Sequence, residues 1–200
     1  MYMNFDAILR ISCIMVHSKI KIAKIDANIL LLVVSIAAGL VFGVLRPLFL
    51  DEYDFAALID ALRNFTAGFV LSPPGVENLA ESLLRYGRPW LLIWACAAIP
   101  KVRFASYLVI YLRAVALGFS AVMMVAAFGG RGFIMAMALY GLQNMIIMPI
   151  YGCTVHFIVK NPASPAMAKK AIVLAVAGAV AVILAALVEV YISPVLFLML

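Results

Sequence analysis

The chain has 200 residues, of which 68% are hydrophobic and only 12% are charged, and its mean hydropathy is +1.16. A soluble domain carries about 25% charged residues, and one of this size cannot hide so much apolar surface from water. The composition excludes a soluble enzyme, a nucleic-acid-binding domain and a disordered protein. The net charge of +6 fits the basic cytoplasmic loops of a membrane protein better than a nucleic-acid partner.

The apolar segments predict an all-α, polytopic integral membrane helical bundle, because most of them approach the roughly 20 residues that a spanning helix needs. Residues 1–28 are predicted to be a short cytoplasmic N-terminal segment, and residues 29–200 a single membrane domain. The basic lead resembles a signal peptide, but no convincing cleavage site follows, so the first span is expected to remain. Five transmembrane helices are expected, at about residues 29–50, 86–101, 104–128, 133–159 and 171–190.

The polar stretch at residues 51–85 is predicted to be an extracytoplasmic segment containing two short amphipathic helices. Apolar residues recur at helical spacing on both sides of Ser72-Pro73-Pro74-Gly75, a sequence typical of a helix breaker. Both helices are too polar to cross a bilayer. We therefore expect them to lie on the membrane surface or to cap the bundle.

The second apolar stretch and the C-terminal tail differ from the other spans. Pro89–Pro100 has twelve residues, about 18 Å as a helix, so the second span must borrow an outer turn from the polar stretch. Lys101 is then expected at the inner face of the membrane. The tail after Glu189 is apolar but contains Pro194, and it is predicted to be an extension or an interfacial piece.

The distribution of basic residues predicts the orientation. Nine bases would lie inside and five outside, where most of the acidic residues also lie. The chain is therefore expected in the cell membrane, with its N-terminus cytoplasmic and its C-terminus extracytoplasmic. The inner bases are Arg10, Lys19, Lys21, Lys24, Lys101, Arg103, Lys160, Lys169 and Lys170, and the outer ones are Arg46, Arg63, Arg85, Arg88 and Arg131.

Pairs of small residues predict where helices approach closely. Gly39 and Gly43 form a GxxxG motif in the first span, and Ala114 and Gly118 a similar pair in the third. Such faces drive helix packing in a bilayer. The spacing alone leaves open whether they pack within one chain or between copies in a homo-oligomer.

Three polar residues at membrane depth predict a specific site. Arg113 lies near the middle of the third span, where an arginine costs about 2.5–3.5 kcal/mol to insert, so it should face the bundle interior or water. Gln143 and Asn144 lie near the centre of the fourth span, and Pro149 leaves a backbone carbonyl free beyond them. We expect Arg113 to pair with one of these acceptors, as a structural clamp, in an ion or substrate path, or at a contact with a partner helix. Glu189, near the outer end of the last span, is expected to be solvated and out of its reach.

Catalytic and metal-binding motifs are absent from the sequence. There is no HExxH, no GxSxG and no pair of intramembrane carboxylates, so the protein is not expected to be an enzyme. No metal or cofactor is expected, because the few cysteines and histidines are widely spaced. They are Cys13, Cys96, Cys153, His17 and His156, the last of which is expected to pack against headgroups or a helix end.

Several of these features together resemble the stage II sporulation protein M family, five-span membrane proteins of endospore-forming bacteria. In that family a basic residue in mid-helix is followed by Gly-Phe, a glycine-bearing turn, and Gln-Asn with a later proline. The likeness covers most of the chain beyond about residue 28, with departures at Ala114, where glycine is common, and at Leu142, where proline is common. The matching residues are Arg113, Gly118-Phe119, Gly129–Gly132, Gln143-Asn144 and Pro149.

The resemblance implies a non-enzymatic membrane scaffold at the division septum and then in the mother-cell membrane. Its implied partners are two peptidoglycan-degrading proteins, stage II sporulation proteins D and P, which it would organise during septal wall remodelling and forespore engulfment. The alternative is a small membrane transporter or channel subunit, with a polar path at Arg113, Gln143 and Asn144.

Overall fold

The computed structural model describes residues 26–71, 78–99, 101–160 and 168–199. Helices hold nearly all of these residues, and no strand occurs among them. The predicted N-terminal segment up to residue 25, the breaker at residues 72–75 and the basic loop at residues 161–167 lie outside the described residues.

The helices follow one another with short connections. Two of the long helical stretches contain a single wider π turn between two α-helical parts. The elements are α1 (Ala27–Leu45) with a 3₁₀ turn (Arg46–Phe49), α2 (Glu52–Leu71), α3 (Leu79–Ala98), α4 (Ala105–Phe128), α5 (Gly130–Ala136), a π turn (Met137–Gly141), α6 (Leu142–Lys160), α7 (Ala168–Leu187), a second π turn (Val188–Ile192) and α8 (Ser193–Leu198).

Four helical stretches in the described part of the chain are long and apolar enough to cross a membrane, so the chain is a multi-pass membrane protein. They are Ala27–Phe49, Ala105–Phe128, Gly130–Lys160 and Ala168–Phe197. The helix α3 also has 20 residues, but Glu81, Arg85 and Arg88 make it too polar to count by composition. The fifth span, expected at residues 86–101, therefore stays a prediction.

The path of α3 follows from its neighbours. The helices α1 and α4 run side by side in the same direction, since Gly39 lies beside Tyr111 and Gly43 beside Val115. We call the end where both begin the Asp26 end, and the end where α4 turns into α5 the Gly129 end. Because α1 and α4 run in the same direction, the chain between them must run back from the Gly129 end to the Asp26 end. The helix α3 makes this return, and it lies antiparallel to α7. The second amphipathic helix and the second span, expected as separate elements, thus form one continuous helix.

The return of α3 is fixed by contacts with the last long helical stretch. Near the start of α3, Arg85 contacts Glu189, and further on the Trp90 indole packs over Gly178. Below this pair, Ile93 is completely buried. Thus α3 crosses the bundle from the Gly129 end towards the Asp26 end.

The α1–α4 contact is made by small residues. A Cβ atom added at Gly39 would lie 2.6 Å from the Tyr111 carbonyl oxygen, and one at Gly118 would lie 2.5 Å from the Leu40 carbonyl oxygen. Ala114 is fully buried in the same contact. The two small-residue pairs singled out in the sequence therefore pack against each other within one chain, at backbone distance.

Two hydrophobic clusters hold the remaining helices. The main cluster lies between α3, α4, α6 and α7, and its fully buried members include Tyr86, Ile93, Ile110, Ile147 and Tyr151. The smaller cluster, at the Gly129 end, joins Met124, Ala136, Leu139 and Phe197, with Leu62 of α2 packed on it.

The C-terminal tail buries one of its faces in the bundle. Phe197 is only 5% exposed and Ser193 only 1%, and both lie on α8. The tail is thus an extension of the last long helical stretch, one of the two alternatives expected, and it continues through the π turn at Val188–Ile192 and past Pro194 with one face buried.

Candidate functional site

The polar residues of α6 are positioned by the π turn that precedes it. The side-chain amide of Gln143 donates to the Leu139 carbonyl, and that of Asn144 donates to the Tyr140 carbonyl at 2.6 Å. Gln143 is 0% exposed and Asn144 7%. Both amides thus turn back onto the π turn, a type of irregularity that occurs often at functional sites.

Arg113 reaches this site from α4. Its Nε donates to Asn144 Oδ1 at 3.3 Å, and its guanidinium carbon lies 4.9 Å from the centre of the Tyr86 ring. An arginine over an aromatic face is attracted to the electron-rich ring, and more strongly where water is excluded. An amide and a ring therefore share the stabilisation of this half-buried cation.

The other predicted members of the site have different roles. Gln143 does not pair with Arg113, and its Oε1 accepts a hydrogen bond from Ser193 Oγ at 3.4 Å. Pro149 is exposed on α6. We call Tyr86, Arg113, Gln143, Asn144 and Ser193 the polar layer, in which Tyr86 and Ser193 are members that the sequence did not indicate.

A hydrogen bond from Tyr151 on α6 attaches α3 next to the polar layer. The hydroxyl of Tyr151 donates to the backbone carbonyl of Tyr86, and both residues are fully buried. This bond lies within three residues of Pro89, which has no backbone donor of its own. The backbone of Tyr86, whose ring faces Arg113, is thereby held to α6.

A cavity of about 430 Å³ opens beside the polar layer at the Gly129 end. Arg85 is its central charge: Nη1 lies 2.5 Å from Glu189 Oε1, and Nη2 lies 3.2 Å from Glu81 Oε1. One cation thus stands between two carboxylates, which leaves these three side chains with a net charge of −1. The cavity is lined by Phe65, Gly68, Asn78, Glu81, Ser82, Arg85, Leu139, Tyr140, Glu189, Val190 and Ser193.

Glu189 is the most constrained of these charged groups. Its side chain is only 17% exposed, and its Oε2 is buried without a hydrogen-bond partner in the described part of the chain. The expectation that Glu189 is merely solvated is wrong, because the π turn at Val188–Ile192 places it against α3 and Arg85. The expectation that Arg113 has a partner other than Glu189 agrees with this geometry.

The cavity and the polar layer meet at Ser193. Residues of both π turns line the cavity, namely Leu139 and Tyr140 from the first and Glu189 and Val190 from the second. Arg113, Gln143 and Asn144 do not belong to the lining. The arrangement is therefore a cavity with a largely apolar lining and a central ion pair, which stops at a packed layer of hydrogen-bonded side chains.

A second charged cluster lies at the Asp26 end. Asp26 Oδ2 is 2.7 Å from Lys160 Nζ and 3.9 Å from His156 Nε2, while Asp26 Oδ1 accepts from the backbone N–H of Asn28 at 3.1 Å. The cluster joins the start of α1 to the end of α6. His156 thus lies at a helix end, beside an acid from another helix.

The described residues contain no group of three or more His, Cys, Asp and Glu side chains that could hold a metal ion. Comparison of the chain with known protein families, with curated proteins and with solved structures found no match. Any assignment of function therefore depends on the geometry above and on the residues that resemble the sporulation family.

Proposed function

We propose that the chain is a non-enzymatic membrane scaffold that organises peptidoglycan-degrading partners during septal wall remodelling and forespore engulfment. The observation that carries this proposal is the packed polar layer. Gln143 is 0% exposed and Asn144 7%, and each amide is already used in hydrogen bonds between or within helices. Such a layer clamps helices together, as a rigid platform requires.

The orientation proposed for the scaffold has the Asp26 end in the cytoplasm. In the described part of the chain each end carries five bases, and the Gly129 end also carries most of the acids. Four further bases, Arg10, Lys19, Lys21 and Lys24, precede α1 in the sequence and bring the Asp26 side to nine against five. The positive-inside rule supports this choice. With α3 as a further span, five helices cross the membrane, the N-terminus is cytoplasmic, and the C-terminus is extracytoplasmic. The five described bases at the Asp26 end are Lys101, Arg103, Lys160, Lys169 and Lys170.

The helix α2 is the proposed partner surface. It packs on the bundle through Leu62 and Thr66 and leaves its acidic side chains exposed, together with Tyr53, which is 82% exposed. It lies at the Gly129 end, on the proposed side of the peptidoglycan. The partners would be hydrolases that resemble stage II sporulation proteins D and P, and the process is supported by the sequence resemblance alone.

Crosslinking in a spore-forming host tests this proposal. A photoreactive amino acid at Tyr53 should crosslink to a wall hydrolase, while the same group at Leu108, which is 55% exposed on the apolar surface of α4, should not. Deletion of the gene should arrest cells after septation, with the septum uncurled. Normal engulfment in the deletion strain, or equal crosslinking at both positions, would refute the scaffold.

A second candidate, a small solute carrier, is favoured by the cavity at Arg85 and by the buried, unpartnered Oε2 of Glu189. Transport would require the cavity to extend through the polar layer, which means breaking the Ser193–Gln143 contact. Solute uptake by the purified protein in liposomes, abolished by Glu189→Gln but not by Asp60→Asn on α2, would establish this function in place of the scaffold.

A further inference from the structure

A groove of about 550 Å³ lies at the Asp26 end, between the last turns of α6 and the first turns of α7. One wall is apolar and includes Phe157, Val173 and Ala177, and the mouth carries Lys169 and Lys170. No role in the scaffold or in the cavity at Arg85 uses this groove. The apolar wall and the basic mouth together indicate a ligand that has an anionic group and a hydrophobic chain.

No salt bridge in the described part of the chain neutralises the two lysines at the mouth. Asp26, at the start of α1, pairs with Lys160 at 2.7 Å and faces His156. Its charge is therefore used at the end of α6 and is not paired with Lys169 or Lys170. Within the described residues, neither Lys169 nor Lys170 forms a salt bridge, and the first turn of α7 contains no acidic side chain. Both lysines are exposed and lie in that first turn, at the positive end of the helix dipole.

The lysines and the apolar wall form continuous stripes along α7. Lys169, Val173 and Ala177 are spaced four residues apart, which puts them on one face of the helix, and Leu174 follows Lys170 by the same interval. Val173 is 69% exposed. A charged headgroup at the lysines would therefore lie directly above an apolar surface that points towards the membrane interior. A small soluble anion would use the first part of this site and leave the second part empty.

We propose that this groove binds an anionic glycerophospholipid, with the phosphodiester between Lys169 and Lys170 and an acyl chain along Val173 and Ala177. Basic pockets between spanning helices at the cytoplasmic side recognise anionic headgroups in this way. The proposal requires only that the Asp26 end lies at a membrane surface, and it is independent of the scaffold function.

Lipid retention by the purified full-length protein tests the proposal. The protein in non-ionic detergent is mixed with equal amounts of phosphatidylglycerol and phosphatidylcholine, and bound lipids are counted by native mass spectrometry. Phosphatidylglycerol should be retained in preference. Each of Lys169→Gln and Lys170→Gln should lower its retention about fivefold, because one lysine near the surface contributes roughly that factor. Lys101→Gln removes the same charge at the same end but outside the groove, and it should have no effect.

Three results would overturn the proposal. Equal retention of the two lipids by the wild-type chain would exclude headgroup recognition, whatever the variants do. An equal loss in Lys101→Gln would indicate a diffuse surface charge in place of a groove. Displacement of the lipid by an equal concentration of glycerol 3-phosphate would show that the site takes a free phosphate and that the apolar wall contributes nothing. Elution volume and melting temperature confirm that each variant remains folded.

Discussion

Arg113 shows how a half-buried cation is accommodated by neutral groups. Its Nε is bound by the Asn144 amide, and its plane lies near the Tyr86 ring. The arginine in mid-span and the amides one helix later were visible in the sequence as a site. The contact with the Tyr86 ring was not visible in the sequence, because Tyr86 belongs to α3 and reaches Arg113 only through the return path of that helix.

Replacing Arg113 separates the contributions of charge and shape. We expect Arg113→Leu to lower the free energy of unfolding by about 1–2 kcal/mol, since it removes both the interhelical hydrogen bond and the cation–π contact. Arg113→Lys should lose less, because it keeps the charge but not the planar donor. Unfolding in a titration of denaturing detergent measures both variants. An Arg113→Leu variant as stable as the wild type would show that the polar layer contributes no net stability.

The Asp26 cluster predicts a dependence on pH. Lys160 and the backbone N–H of Asn28 hold the pKa of Asp26 below its ordinary value of 3.8. A carboxyl group with a lowered pKa in the folded state contributes stability above pH 3.8, and this contribution is lost as the pH falls through the lowered value.

The melting temperature of Asp26→Asn, compared with that of the wild type, tests this dependence. The wild type should melt higher near neutral pH, and the difference should close below pH 3.8. In a Lys160→Met background the difference near neutral pH should be smaller, because the main partner of Asp26 is gone. A gap that stays constant into strong acid would contradict the assignment.

At the scale of the elements, the sequence predicted the spans with a regular pattern and failed at the irregular ones. The runs that became α1, α4 and the stretch ending at Lys160 were clear from length and hydropathy. The two π turns were not, because one extra residue in a helical turn leaves no signature in the hydropathy. The second π turn is the reason why Glu189 points at Arg85, an ion pair between residues 104 positions apart.

The close contact of α1 and α4 predicts a sharp response to a single methyl group. Gly43→Ala would place Cβ against the Val115 carbonyl and 2.9 Å from the Phe119 amide nitrogen, so the helices must separate. We expect a loss of about 1–3 kcal/mol in the free energy of unfolding.

Gly68→Ala on α2 is the matched control for this substitution. No atom lies within 4 Å of a Cβ at Gly68, and the same substitution there should stabilise the helix by about 0.5–1 kcal/mol. Circular dichroism during thermal unfolding in detergent compares the two variants. Equal effects at the two sites would mean that the helix contact does not contribute to stability.

The whole molecule depends on α3 crossing from one end to the other. In a cysteine-free background, whole cells are treated with a maleimide that cannot cross membranes. A cysteine at Ala80, near the start of α3, should be labelled, whereas one at Lys101, just beyond its end, should react only after the cells are opened. Labelling of both in intact cells would place α3 on the surface and leave four spans. The opposite pattern would reverse the orientation.

For the whole molecule, the sequence predicted the class of protein and most spans, but not which helices contact one another. Composition alone indicates a helical membrane bundle. The cavity at Arg85 depends on contacts between α2, α3 and both π turns, which are distant in the sequence. The small-residue motifs were recognised, yet only the assembled bundle shows that they pair within one chain.

The contact between α1 and α4 also has a consequence for biosynthesis. Gly118 follows Gly43 by 75 residues, so a ribosome working at about 5–20 residues per second needs roughly 4–15 s to deliver the second half of the contact. During this interval the glycine face of α1 is already in the bilayer, where a nascent neighbour on the same messenger RNA presents an identical face. We therefore expect slower translation between these two points to favour exchange of α1 between copies over docking within its own chain.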